Sequence, residues 1–164
     1  MNTLNLSRKL ILAVAATFAA GLLFVNVYNS VVDVPNWGHE LPRSIEVSRS
    51  YFAAATPGTF FRLFSPINQL VGLLALALCW KAGPRVRLLA GLALLVSIGS
   101  DALTFGFFYP RNDILFGGPL ANLDAIRDAL TQWAAMNWVR SAGVALNVAL
   151  DFGALFLLAG SERS

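Results

Sequence analysis

The chain has 164 residues, 57% of them hydrophobic and 13% charged, where a soluble domain is about 45–50% apolar and about 25% charged. Both departures point to an all-α integral membrane protein with the lipid bilayer as its surroundings, and the length suits a single membrane domain over residues 1–164. The net charge of +3 comes without a basic stripe, which argues against a nucleic-acid partner. With one cysteine (Cys79) and one histidine (His39), the chain builds no internal disulfide frame and no cysteine-based or His-rich metal site.

Four spans follow in chain order. The first, about residues 8–29, starts after Arg8 and Lys9 and is apolar to about Val27. It outlasts a signal-peptide core of about 7–15 residues, although Ala19, Ala20 and Gly21 leave a cleaved signal as the rival reading. Its far end carries Asn26, Asn29 and Asp33 at helical spacing. Residues 34–58 read as a loop punctuated by Pro35, Gly38, Pro42 and Pro57, with a short interfacial helix between Ser44 and Ala55. The second span, about 59–81, follows Thr56-Pro57, a cap and first-turn pair. Asn68 sits just inside its start, and Ser65-Pro66 predicts a kink or restart.

Lys81 to Arg85 form a tight turn around Gly83-Pro84. The third span, about 86–109, is apolar except for Ser97, Ser100, Asp101 and Thr104, and Tyr109-Pro110-Arg111-Asn112 ends it. Residues 113–121 read as a loop. Asn122 caps the next helix, where Leu123, Ile126, Leu130 and Trp133 form an apolar stripe in phase with Asn137 and Arg140. Two readings stay open here: one helix over 122–159, or an interfacial helix bending into a fourth span at about 138–159. The architecture is then an antiparallel four-transmembrane-helix bundle with external loop and interfacial helices.

Basic residues near the spans set the orientation. Arg8, Lys9, Lys81, Arg85, Arg87 and Arg163 fall on one side with Glu162 as its only acid, while charges of both signs mix on the other. This predicts a multi-pass protein of the plasma (inner) membrane with both termini cytoplasmic. Trp80 fits the inner interface, and Trp133 and Trp138 the outer one.

The candidate site lies on the last span. Asn137, Arg140, Val144, Asn147 and Asp151 are spaced by three or four residues and share one helical face. Ionisable groups at such positions usually face a bundle interior or a water-filled cavity. Asn26, Asn29, Asn68, Asp101 and Thr104 fall near the same end of the other spans, which predicts one outward-facing polar pocket for an apolar small molecule. The structural reading stands beside this one. Asn and Ser in membrane helices often only bridge helices, at about 0.6–2 kcal/mol each, and Arg140 is also placed to reach the interface from a helix end. Asp101 and Asp151 are harder to explain away, because a central Asp costs about 2.5–3.5 kcal/mol even on the insertion scale. His39 reads more readily as a solvated loop residue than as a catalyst. Phe60, Phe61, Phe64, Phe105, Phe107 and Phe108 are positioned to line an apolar cavity or to face lipid.

The stretches Leu130-Thr131-Gln132-Trp133 and Asn137-Trp138-Val139-Arg140 resemble a signature of anthrone-oxygenase-like small four-helix membrane proteins. Pro110, Asn112, Trp133, Asn137 and Arg140 match its pattern of a Pro-x-Asn after the third span, then Trp, Asn or His, and Arg leading into the fourth. The resemblance covers the second half of the chain, and the first half only by helix count. It implies cofactor-free oxygenation of an aromatic or phenolic substrate. A base removes an acidic C–H or phenolic proton, and the electron-rich anion reacts with dioxygen inside an apolar pocket. On that reading Asp101 or His39 is the base, and Arg140, Asn112 and Asn137 stabilise the anion. Trp133, Asn26, Asn29, Asn68, Thr104, Asn147 and Asp151 complete the binding set. Two rivals remain: a non-enzymatic binder of a lipid or quinone-type molecule, and an accessory subunit of a larger complex. Assembly as a homo-oligomer stays open.

Overall fold

The computed structural model describes residues 3–160; Glu162 and Arg163, used above for orientation, lie outside the described residues. Those residues fold into helices joined by short turns. Helix α1 covers Thr3–Gly38, α2 Arg43–Tyr51, α3 Pro57–Cys79, α4 Pro84–Gly117 and α5 Leu123–Gly160. All but α2 are long and apolar enough to cross a membrane.

Helix α1 packs on α3 and α5, and α4 packs on the same two, so the long helices form a ring. Small residues allow the close approach along α1: Ala15, Ala16 and Ala19 are almost fully buried. Without water between helices in a bilayer, such small side chains let backbones come together and gain van der Waals contact. Large apolar side chains such as Phe24, Leu95, Phe105 and Phe156 point outward. Two buried clusters sit at the two ends of the ring. One joins Leu12 of α1, Cys79 of α3, Val86 of α4 and Leu158 of α5. The other joins Trp37, Ile45, Phe108, Leu115, Ile126 and Trp133.

Helices α1 and α4 run on past the expected span ends. The loop expected from residue 34 begins only after Gly38, and the one expected from residue 113 only after Gly117. The reason is a shared device. A widened π-helical turn at Asn29–Asp33 ends with Val34 N–H donating to the Asn29 carbonyl, and Pro35 follows directly. Another at Thr104–Phe108 ends with Tyr109 N–H donating to the Thr104 carbonyl, and Pro110 follows directly. In an uninterrupted α-helix each proline ring would meet the carbonyl four residues earlier. The wider turn makes room for it, so both prolines are carried inside the helix. A third π turn, Asp113–Gly117, ends α4.

Helix α3 also runs unbroken through Pro66 rather than restarting there. Its start is fixed by a capping box in which Thr59 takes the place of the usual acid and accepts the Thr56 N–H at 3.2 Å. Gly83 makes the turn into α4 with φ +126°, a backbone conformation that favours glycine. Asn122 caps α5 by accepting the Ala125 N–H at 3.0 Å. Helix α5 is then continuous over 38 residues, about 57 Å at 1.5 Å per residue. That settles the two readings of residues 122–159 in favour of one helix, which extends well past a hydrocarbon core of about 30 Å. Its projecting end carries Trp133, which is packed into the second cluster with 4% of its surface exposed, not placed at an interface. Trp138 does face outward.

Candidate functional site

The three π turns gather around a cavity of about 440 Å³ at the end of the ring capped by α2. Asn29 comes from the first turn, Thr104 and Phe108 from the second, and Asp113, Phe116 and Gly117 from the third. π turns shift helical register by one residue and are frequent at functional sites. Here they swing side chains into the space between α1, α4 and α5. Trp37, Phe61, Phe108, Phe116 and Trp133 supply aromatic wall. Trp37 stands edge-on to Trp133 at 5.1 Å and to Phe116 at 5.0 Å, and Phe108 meets Trp133 the same way at 5.3 Å.

Arg140 is the cationic centre of this wall and is 7% exposed. Its guanidinium carbon lies 4.0 Å from the Phe108 ring centre, 5.1 Å from Phe61 and 5.8 Å from Trp133. Nη2 donates to Asn137 Oδ1 at 2.5 Å and Nη1 to Thr104 Oγ1 at 3.5 Å, while Nε has no protein acceptor. Among the described residues no carboxylate lies within ion-pair distance of it. A buried cation usually has a paired carboxylate. This one has aromatic faces, neutral oxygens and a cavity instead, an arrangement that suits an anionic or strongly polarised oxygen as ligand.

Asn137 is fully buried and both of its amide hydrogens are used. Nδ2 donates to the Asn26 carbonyl at 2.8 Å and to Ser30 Oγ at 2.6 Å, and Oδ1 accepts from Arg140. It does not line the cavity. It holds Arg140 against α1 and has no N–H left for a ligand. Asn112 is the reverse case. It lines the cavity, and its Oδ1 accepts the Trp133 indole N–H at 2.9 Å. That bond turns the amide and leaves its NH₂ as a donor at the wall.

A second, smaller cavity of about 20 Å³ adjoins the first, sharing Phe61, Thr104 and Arg140 with it. Asn26, Asn68, Asp101 and Asn147 line it. Asp101 Oδ2 accepts from Gln69 Nε2 at 2.6 Å, and Asn68 Nδ2 donates to Ser97 Oγ at 2.9 Å. Asn147 Nδ2 donates to Asp151 Oδ2 at 3.0 Å, and Asp151 is buried but lines neither cavity. The Asn29 amide nitrogen faces the Val25 carbonyl at 3.2 Å and Asp33 Oδ2 at 2.9 Å, the orientation its two acceptors dictate.

His39 is the candidate the fold does not bring in. It lies exposed in the turn after α1, outside both cavities. Of the six phenylalanines the sequence offers for a cavity wall, Phe61 and Phe108 face the cavity, whereas Phe105 points outward and Phe107 lies under the Arg111 guanidinium at 3.4 Å. Among the described residues no three His, Cys, Asp or Glu side chains gather as a metal ligand set would.

Sequence reasoning missed Arg49, Asp113 and Tyr109 in the wall. Arg49 sits on α2 and donates to the Leu115 carbonyl through Nε at 3.2 Å and Nη2 at 2.8 Å, and through Nη2 to the Gly118 carbonyl at 2.8 Å. It ties α2 to the end of α4, where the π turn leaves carbonyls without helical donors. No local signal marks this, because the partners lie 66 and 69 positions away. Arg49→Ala is expected to free α2 and raise its rate of limited proteolysis about tenfold or more, in line with the loss of charge-assisted bonds of about 1.5–3 kcal/mol each. Digestion of the native protein, read by mass spectrometry, checks this; cleavage of α2 at an unchanged rate would show that the tie contributes nothing.

The family model of anthrone oxygenase matches residues 59–150, more than half of the chain. The chain belongs to the anthrone oxygenase family. No curated protein and no solved structure matches it. The resemblance carried by Pro110, Asn112, Trp133, Asn137 and Arg140 is thereby borne out. In this anthrone oxygenase family member four of those residues form one connected unit: Trp133 fixes Asn112, Asn137 fixes Arg140, and Arg140 lies over Trp133. Asn26, Asn29, Ser30 and Arg49 close the site from outside the matched stretch.

Proposed function

We propose that this protein is an integral membrane oxygenase, independent of a cofactor, that acts on an apolar anthrone-type or phenolic substrate. The observation that carries the reading is Arg140, a buried guanidinium with no carboxylate partner, set in an aromatic wall beside a cavity of about 440 Å³. That volume falls within the about 300–1,000 Å³ of small-molecule sites. Flat aromatic faces suit a fused-ring substrate, and Arg140 with the Asn112 amide suits its oxygen.

The chemistry needs little else. The methylene of an anthrone loses a proton and leaves an oxyanion spread over the rings. Arg140 and Asn112 hold that negative charge where it develops. Dioxygen then adds to the carbon, and loss of water leaves a second carbonyl: one CH₂ and one O₂ give one C=O and one H₂O. Asp101 is the base in this reading, because it lies just across the partition made by Phe61, Thr104 and Arg140.

The same proposal takes residues 1–164 as one membrane domain, an antiparallel bundle of four transmembrane helices in the plasma membrane. The cluster joining the start of α1, the end of α3, the start of α4 and the end of α5 supports the antiparallel order. Arg8, Lys9, Lys81, Arg85 and Arg87 near that end support cytoplasmic termini, with the cavity opening toward the outer face.

Purified protein supplied with anthrone is expected to consume dioxygen one for one and to form anthraquinone faster than the spontaneous reaction. Saturable binding without such uptake would move the protein to the non-enzymatic binders, and absence of both would end the reading. His39→Ala is expected to keep the oxygen-uptake rate within about twofold, since an exposed residue outside the cavity contributes no charge stabilisation there. A large loss in that variant would return His39 to the site.

A further inference from the structure

Two buried polar atoms lack a protein partner among the described residues: Arg140 Nε, a donor, and Asn26 Oδ1, an acceptor. Both residues line the smaller cavity, together with Asp101, Ser65, Ser100 and Asn147. Arg140 and Asn26 are 7% and 2% exposed, so bulk solvent does not serve them. Leaving such an atom unpaired costs about 1–3 kcal/mol. A polar cavity needs about 10–15 Å³ and two to four polar partners to hold a water. This one has about 20 Å³ and more than that number of polar residues. It is too small for an organic ligand, and its polar lining suits water better than dioxygen.

The position of this cavity answers a question left by the proposed chemistry. Asp101 lines the small cavity and not the large one, so it does not itself touch a substrate held there. The partition between them consists of Phe61, Thr104 and Arg140.

We propose that the smaller cavity is a binding site for one internal water, which bonds Arg140 Nε and Asn26 Oδ1 and relays the substrate's proton to Asp101. The step balances without any redox partner. The substrate C–H or O–H bond breaks toward Thr104 Oγ1, whose residue lines both cavities, while the Thr104 hydroxyl proton passes to the water and a water O–H proton passes to the Asp101 carboxylate. The water is regenerated, the carboxylate becomes a carboxylic acid, and the electron pair stays on the substrate beside Arg140. Asp101 is thus the terminal proton acceptor and Asn26 a positioning residue. This relay rests on the oxygenase reading, while the water site itself does not.

The test fills the cavity without touching the wall of the larger one. Ser100 donates only within its own helix, to the Val96 carbonyl at 3.0 Å, and faces Gly143, where an added Cβ would lie 3.8 Å away. Ser100→Val therefore has room to be accommodated while displacing a water, and Ser100→Ala removes the hydroxyl but leaves the space. Ser65→Val, from α3, is the second filling variant should Ser100→Val fail to fold, read against Ser65→Ala because the Ser65 side chain also bonds the Asp101 carboxylate. Each protein is mixed with anthrone without oxygen, and binding and the absorbance of the ionised form are read separately. Wild type and Ser100→Ala are expected to bind and ionise anthrone. Ser100→Val and Asp101→Asn are expected to bind it equally well and ionise it about 10²-fold more slowly or worse, the scale of lost proton-transfer catalysis.

Ionisation at the wild-type rate in a filled variant overturns the relay and leaves the oxygenase reading standing. Absence of ionisation in wild type overturns both. Independently of any substrate, an experimental density map that resolves waters is expected to show one within hydrogen-bond distance of Arg140 Nε and Asn26 Oδ1. Density without it overturns the water site.

Discussion

Arg140→Ala is expected to lower kcat for anthrone oxidation by about 10²–10³-fold, the usual loss when one donor to a developing oxyanion is removed. The reason is specific to its surroundings. The guanidinium is 7% exposed, lies 4.0 Å from the centre of the Phe108 ring and has no carboxylate in direct ion-pair contact, Asp101 acting on it only across the small cavity. Its charge is therefore directed at whatever occupies the cavity, in a setting where water screens it little. Removing it takes away stabilisation that grows as the anion forms, so kcat falls more than KM rises. Arg140→Lys keeps the charge but loses the planar fork that spans Asn137 and Thr104. It is expected to recover only part of the rate, because an ammonium does not reproduce that geometry. Oxygen-electrode kinetics on both variants check the order, wild type above Lys above Ala. Equal rates in all three would remove Arg140 from the chemistry.

The largest stability effect is expected at Trp133. Replacing it by alanine deletes an indole that meets Trp37, Phe108 and Arg140 and is buried in the cluster at the cavity end. Phe or Trp to Ala in a packed core costs about 3–5 kcal/mol, and Trp133→Ala should lie in that range. Trp133→Phe keeps most of the ring contact but loses the N–H donated to Asn112 Oδ1. It should cost less, about 0.5–1.5 kcal/mol for the bond itself, plus a smaller packing loss. The two variants also separate packing from positioning. In Trp133→Phe the Asn112 amide is free to turn, so KM for anthrone should rise although the fold is retained. Denaturant unfolding in detergent micelles, followed by tryptophan fluorescence with Trp133 itself accounted for, gives the first quantity and oxygen uptake the second. Full stability of Trp133→Ala would mean that the indole is not packed as described.

The architecture was largely legible because it depends on periodicity and hydrophobicity, which are local. Helical spacing picked out Asn137, Arg140, Val144, Asn147 and Asp151 as one face, and all five are buried. The caps at Thr56 and Asn122 and the turn at Gly83-Pro84 were equally readable, since each is decided by a few neighbouring residues. The helix ends beyond Asn29 and Thr104 were not. Proline often marks a boundary, and at Pro35 and Pro110 a π turn just before it carries the helix on. Because each π turn changes which side chains face inward, an error in the helix end becomes an error in the site.

The roles within the site were decided by tertiary structure alone. The sequence determined that buried polar groups from several helices exist and, through the family pattern, that Asn112, Trp133, Asn137 and Arg140 belong together. It did not determine that Asn137 spends its amide on Asn26, Ser30 and Arg140, 111, 107 and 3 positions away, while Asn112 keeps a donor for the cavity. Nor did it determine that Arg49 ties down α2, that Trp133 is core, or that His39 is left outside. The physical reason is that an amide or guanidinium has the same chemistry wherever it stands in a chain. Whether its hydrogen bonds go to another helix or remain for a ligand depends on distances closed only when the helices pack.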